Sequence, residues 1–175
     1  TTFFRFSEKE DSNKVFRNAE TFILLITTIF LIAYCLFYKS FAELIHYQFN
    51  THYVLLIGII VALDAIAAVP FAILRKENNA KRFSLIKVLN VTTNILFNIL
   101  FIVVIPEKSM QIAEVIFGEQ TSLLIWVLIS NILASLLNII LLMPQFAKLR
   151  LGFDKDLIKQ MLKYSWPILL IALVG

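Results

Sequence analysis

The sequence predicts an all-α fold: a polytopic transmembrane helix bundle with four full spans and a truncated fifth. Composition is the first reason. The 175 residues are 59% hydrophobic and 16% charged, with a mean hydropathy of +0.83, against about 45–50% apolar and about 25% charged in soluble domains. Apolar runs are the second reason, because they recur at the length of about 20 residues that a helix needs to cross a hydrocarbon core. The third is the alternation of Lys and Arg between connecting segments. Sixteen phenylalanines against four glycines and four prolines exclude a disordered or collagen-like chain. A soluble domain has too little polar surface here to cover its apolar mass. The single cysteine, Cys35, lies inside an apolar run. It has no partner for an internal disulfide or a zinc cluster and reads as a small buried or lipid-facing hydrophobe.

The spans fall at about 20–41, 53–74, 83–105, 122–143 and 164–175, and together they form a single membrane domain over 1–175. The fifth has twelve residues, which reach only about 18 Å at helical rise. It stops part-way through a bilayer, so the chain is expected to be a piece of a longer membrane protein. Before the first span stand Arg5, Lys9, Lys14 and Arg17; after it, Lys39 alone. Between the second and third stand Arg75, Lys76, Lys81 and Arg82, with Lys87 just inside the third. Between the third and fourth stands Lys108, beside Glu107, Glu114 and Glu119; after the fourth come Lys148, Arg150, Lys155, Lys159 and Lys163. The excess of positive charge marks cytoplasmic segments, so residues 1–19, 75–82 and 148–163 are expected inside. The loops near His46–His52 and Pro106–Gln120 are expected outside. The basic residues do not form one patch, so nucleic acid is not an expected partner; membrane lipid is.

Ring-bearing side chains agree with this topology. Tyr34, Phe37, Tyr38, Tyr47 and Tyr53 surround the first outer loop, where amphipathic rings favour the interface. Tyr164 and Trp166 mark the start of the fifth span, and Pro167 suits the first turn of a helix. Residues 153–163 read as a short amphipathic connector that either lies at the membrane surface and feeds into the next span or is a plain linking helix with a solvated basic face. Asp154 is its N-cap, Leu157, Ile158, Met161 and Leu162 its apolar face, and Lys155, Lys159 and Lys163 its basic face.

No catalytic constellation is present: the sequence has no GxSxG, P-loop, HExxH or CxxC, so neither an enzyme nor a bound cofactor is expected. His46 and His52 have no third ligand near them and read as surface residues. Chemistry must come from polar groups within the spans. Asp64 stands near the middle of the second, where a carboxylate costs about 2.5–3.5 kcal/mol on insertion scales. It must face a partner or a wet cavity, as a proton or cation site or as a paired bundle carboxyl. Gly58, Ala62, Ala65 and Ala68 allow close helix approach, and Pro70 frees the carbonyl of Ile66. Asn90, Asn94 and Asn98 recur at four-residue spacing in the third span, beside Thr93 and preceded by Lys87. Asn131, Ser135 and Asn138 share a face of the fourth. Such stripes bond across helices or line a cavity, and two of them beside a mid-span acid favour a polar interior.

Several segments, in order, resemble the polysaccharide-biosynthesis flippases of the multidrug/oligosaccharidyl-lipid/polysaccharide exporter superfamily. TTFFRFSEKED is similar to the family's loop between the second and third helices. PFAILRKENNAKRFSLIKVLNVTTNILFNI resembles its fourth-to-fifth helix hairpin, with a Pro-containing helix, Leu-Arg, a basic loop and an Asn-rich helix. KDLIKQMLKYSWPILLIALVG resembles the start of its seventh helix. The resemblance implies helices three to six and the beginning of the seventh, in a transporter of twelve or more helices. Its implied activity is export of a lipid-linked oligosaccharide across the bacterial inner (plasma) membrane, with gradient coupling, by protons or sodium, common in the superfamily. It also implies Arg5 and Arg75 as contacts for a pyrophosphate headgroup, since Arg pairs bidentately with phosphate. Asp64 and Asn90, Asn94, Asn98, Asn131 and Asn138 become cavity-lining groups. A cation-coupled drug exporter and a non-transporting membrane scaffold are the competing expectations.

Overall fold

The computed structural model describes residues 5–7, 11–44, 51–118, 122–148 and 152–174. Expectations that fall on Lys9, His46, Tyr47, Glu119 and Arg150 lie outside these residues. Six helices follow in order: α1 (Ser12–Leu44), α2 (Thr51–Lys76), α3 (Ala80–Asn98), α4 (Pro106–Phe117), α5 (Leu124–Lys148) and α6 (Lys155–Val174), with a π-helical segment, Ile99–Val104, continuing α3. Four of them are long and apolar enough to cross a membrane: α1, α2, α3 with its π-helical continuation, and α5. The chain is an all-α membrane protein.

The helices alternate in direction. Phe16 of α1 packs on Val69 and Ile73 of α2, while Tyr34, farther along α1, donates to the carbonyl of Val54 near the start of α2 (2.8 Å). Along α5, Tyr53 meets Ser122 just before the helix, Asp64 meets Ser135 and Leu74 packs with Leu142, so α2 and α5 run parallel. Asn94 meets Asn131, and Arg82 meets Leu141, so α3 returns antiparallel to α5. α2 and α5 form the centre, with α1 on one side, α3 on the other and α6 against α1.

The basic segments gather at one end. Lys76 bonds the carbonyl of Ser7 (3.0 Å) and the hydroxyl of Ser12, and Lys14 pairs with Asp154 (2.7 Å). Arg82 donates to the carbonyl of Leu141 (3.2 Å). With its carboxamide turned to satisfy both ends, Gln145 accepts from the same guanidinium (3.3 Å) and donates to Leu142 (3.2 Å). Arg82 therefore secures the last turns of α5, where Pro144 removes a backbone donor. The tight α2–α3 turn is held by Asn78 at positive φ (53°), a conformation Asn tolerates. Asn79 then caps α3 by accepting from the Arg82 amide (3.3 Å).

The opposite end is closed by rings and short bonds. Tyr53, Ala113, Ile125 and Trp126 form a buried cluster, and Phe101 lies 4.3 Å from Trp126 between centroids. Trp126 donates to the Ser109 carbonyl (3.0 Å). The Tyr53 hydroxyl takes the Ser122 amide (2.8 Å) and shares a bond with its hydroxyl (3.0 Å).

Three elements differ from the sequence expectation. Pro106–Gln120, expected as an outer loop, holds α4. Pro106 at its first turn and Gly118 just past its end (φ 98°) are the start and stop signals of a helix. The last turns of the third span are π-helical. The Ile105 amide bonds Leu100 (3.0 Å) rather than Phe101, and Pro106 has no N–H to offer Phe101. The Ser109 hydroxyl supplies that missing donor (2.6 Å). Finally, the connector at 153–163 and the expected fifth span are one helix, α6, with Pro167 inside it. Asp154 caps this helix through the amides of Asp156 (3.1 Å) and Leu157 (3.2 Å), which starts it well before Tyr164. Of its apolar face, Leu157 and Ile158 are buried and Leu162 is exposed.

Candidate functional site

A cavity of roughly 440 Å³ lies between α2, α3 and α5, within the size range of ligand sites, about 300–1,000 Å³. α2 contributes Asp64 to it; α3 contributes Asn90 and Lys87; α5 contributes Asn131, Ser135 and Asn138. Ala67, Ala68 and Ala72 of α2 are the small residues that leave the space open. Arg75 stands at the basic end, about 16 Å from Asp64 along the helix axis at 1.5 Å per residue.

Ser135 donates to Asp64 Oδ1 (2.9 Å), joining the two central helices at mid-span. Asp64 remains exposed to the cavity and has no ion-pair partner among the described residues. The two cations rest on rings. The Arg75 guanidinium lies 4.6 Å from the Phe83 centroid and the Lys87 ammonium 4.2 Å from that of Phe71. Those rings meet edge to face at 5.5 Å. Cation–π contacts fix such side chains without neutralising them, so both charges stay available. The site thus offers two cations, one carboxylate and several amides. Asn138 is 3% exposed, and its carboxamide oxygen has no hydrogen-bond partner among the described residues.

The sequence-derived residues divide into three groups. Asp64, Asn90, Asn131, Asn138 and Arg75 come together in the cavity. Asn94 and Asn98 do not line it; they form a bonded row beyond it. Asn98 donates to Asn94 (2.6 Å), Asn94 to Asn131 (2.6 Å) and Asn131 to the carbonyl of Val127 (3.3 Å). Arg5 is elsewhere, its guanidinium 4.3 Å from the Tyr164 centroid on α6. The structure does not unite Arg5 and Arg75 in one headgroup site, because the N-terminal turn packs on α6 while Arg75 faces α3. Lys87 is the cavity residue that charge counting alone left out of the site. Its spacing of three from Asn90, one helical turn along the same face, was the signal.

Two polar features lie outside the cavity. Glu20 of α1 is 1% exposed, and neither carboxylate oxygen has a hydrogen-bond partner among the described residues. His52 sits edge-on to Phe117 (5.6 Å). Among the described residues no group of three His, Cys, Asp or Glu is placed to hold a metal.

Neither a family model, nor a curated protein, nor a solved structure matches the chain. The fold and the cavity define a class: an α-helical membrane protein with a polar, cation-bearing cavity inside its bundle.

Proposed function

We propose that the chain belongs to a membrane transporter that flips a lipid-linked oligosaccharide across the bacterial inner membrane, as its motif order resembles the polysaccharide-biosynthesis flippases. The observation that carries this reading is the charge arrangement of the cavity. Arg75 and Lys87 stand at its basic end, and amides with a single carboxylate stand deeper. Cations suit a phosphate-bearing headgroup, and amides with an acid suit sugar hydroxyls. The basic end is the cytoplasmic one under the positive-inside rule, which gives the substrate its side of origin. The opposite, outer end is sealed by Trp126, Tyr53 and Ser122.

The test is genetic and chemical. Deleting the gene is expected to abolish surface polysaccharide and to accumulate its lipid-linked precursor on the cytoplasmic face. Wild type restores export, as does Lys81→Ala, which changes an exposed cation in the first turn of α3. Arg75→Ala with Lys87→Ala does not. Normal surface glycan in the deletion strain overturns the reading.

Asp64 inside a membrane cavity favours one second reading, a cation-coupled drug exporter. Two cations against one acid make the cavity a poor host for cationic drugs. Drug resistance on expression, lost in Asp64→Asn, would establish that reading instead.

A further inference from the structure

A second cavity lies on the other face of α2. It measures roughly 360 Å³ and is enclosed by α1, α2 and α6. Its walls are Phe22 and Ile23, Val69, and Ile158, Met161 and Leu162, with Ser165 the one hydroxyl among them. The apolar face of α6 is thus one wall of a groove. Ala68 and Ala72 line this groove and also line the polar cavity. They stand one helical turn apart, and each offers a single methyl group, so the partition between the two spaces is a low ridge. Arg75 follows Ala72 by three residues, about 4.5 Å of helical rise. The cation of one cavity therefore lies within one helical turn of the apolar wall of the other.

We propose that this groove holds the hydrocarbon chain of the ligand whose anionic head occupies the polar cavity, with the ligand crossing α2 over Ala68 and Ala72. Adjacency and chemistry argue for one amphipathic molecule. The charged side takes the phosphate and the apolar side takes a chain that water would otherwise surround. A bilayer lipid seated in the groove would account for its apolar walls. It would not account for a ridge of methyl groups leading to Arg75 and Lys87. The proposal rests on the flippase reading for the head and adds a place for the tail.

The experiment uses the purified chain in phosphatidylcholine nanodiscs and three probes. One is a farnesyl diphosphate bearing a benzophenone at its chain terminus. Another is a phosphatidylcholine bearing benzophenone on one acyl chain, and the third is inorganic diphosphate. The prenyl probe is expected to label Met161, Leu162 or Phe22, as read by peptide mass spectrometry, and unlabelled farnesyl diphosphate competes this labelling away. Met161→Trp fills the groove from the α6 wall. It is expected to cut prenyl labelling about tenfold, 1.4 kcal/mol, while inorganic diphosphate binds as to wild type. Ile23→Trp repeats the test from α1, and each variant is first checked for an unchanged melting temperature. Labelling outside the groove, or labelling indifferent to both tryptophans, overturns the proposal. So does groove labelling by the phosphatidylcholine probe that farnesyl diphosphate does not compete. Loss of the flippase reading looks different: both diphosphates then bind Arg75→Ala with Lys87→Ala as tightly as wild type.

Discussion

The asparagine row supplies a perturbation whose outcome can be ranked in advance. Asn94 is the middle member: it receives the Asn98 amide and gives its own to Asn131, both at 2.6 Å. Asn94→Ala strands two groups, the donor of Asn98 and the acceptor of Asn131. Asn98 then has no partner at either end, because its carboxamide oxygen is already buried and unpaired. Asn131→Ala strands one group, the Asn94 amide. An interhelical hydrogen bond in a membrane averages about 0.6 kcal/mol and reaches about 1.7, and each stranded buried group costs about 1–3 kcal/mol. The two asparagines are half-buried, which places each stranded group at the low end. Asn94→Ala is therefore expected to cost about 2 kcal/mol and Asn131→Ala about 1. A double-mutant cycle is expected to give a coupling of about 0.6–1.7 kcal/mol. Unfolding of the purified variants by titration with sodium dodecyl sulfate in mixed micelles measures all three. Equal single losses, a greater loss in Asn131→Ala, or a coupling within about 0.3 kcal/mol of zero would refute the bonded row.

Other parts of the bundle give sharper contrasts. A Cβ on Gly58 would lie 2.2 Å from the Tyr34 ring, which its hydroxyl bond to Val54 (2.8 Å) holds in place. Gly58→Ala is thus expected to destabilise by about 1–3 kcal/mol, with Tyr34→Leu in the same chain recovering part of the loss. Gly152→Ala meets only the end of the flexible Arg17 side chain and is expected to cost less in the same unfolding assay. The Asp154 carboxyl is held below its usual value, first by the Lys14 side-chain bond and then by the Leu157 amide. Its contribution is complete above the unfolded value near 3.8 and is lost as pH falls through the lower folded value. Melting scans below pH 4 show this loss in wild type, and it is absent in Asp154→Asn. Glu20→Met removes a buried carboxyl without a hydrogen-bond partner and is expected to raise stability by about 1–3 kcal/mol; a fall would show that the carboxyl has a stabilising partner.

The fold was legible wherever one physical rule acted alone. Chain-long apolar runs and charged connectors force helices of membrane length, and the alternating direction of α1, α2, α3 and α5 follows from them. Asp154 was readable as a cap because an acid before an amphipathic run has few other uses. The π-helical turns were not legible. They depend on Pro106 lacking a donor and on Ser109 reaching back to Phe101, a contact across eight residues that no periodicity reports. Helix α4 was masked by its charges, although Pro106 and Gly118 bracket it. In the site, spacing placed Asn90, Asn94 and Asn98 on one face correctly. It did not say which of them meet another helix first, because the α3–α5 crossing decides that. Asn90 is left in the cavity, between the Arg82–Leu141 bond and the asparagine row, and Asn94 is consumed by Asn131. Arg5 and Arg75 looked equivalent by charge and side. Only the packing of the N-terminal turn on Tyr164 separates them.

That crossing also sets what the cavity can admit. Beyond Asn131 toward the sealed end, the Asn94–Asn131 bond, backed by Asn98 within α3, draws α3 onto α5, and Phe101, Trp126 and Tyr53 fill the remaining space. Toward the basic end the same pair is held together by Arg82 and Gln145. Between these two ties, the cavity faces of α2 and α3 carry Ala67, Ala68 and Ala72 opposite Lys87 and Asn90. On the flippase reading, a ligand meets charge at the mouth and amides further in, up to where the asparagine row begins. Passage to the other end, on the same flippase reading, requires the Asn94–Asn131 bond, the Trp126–Ser109 bond and the Tyr53–Ser122 pair to open. Each is a single hydrogen bond or a short pair, worth about 1 kcal/mol per bond. Opening that end, on the flippase reading, must also part the buried cluster of Tyr53, Ala113, Ile125 and Trp126, whose apolar contacts add to those bonds, so the change has to be driven by a ligand that binds the two conformations with unequal affinity.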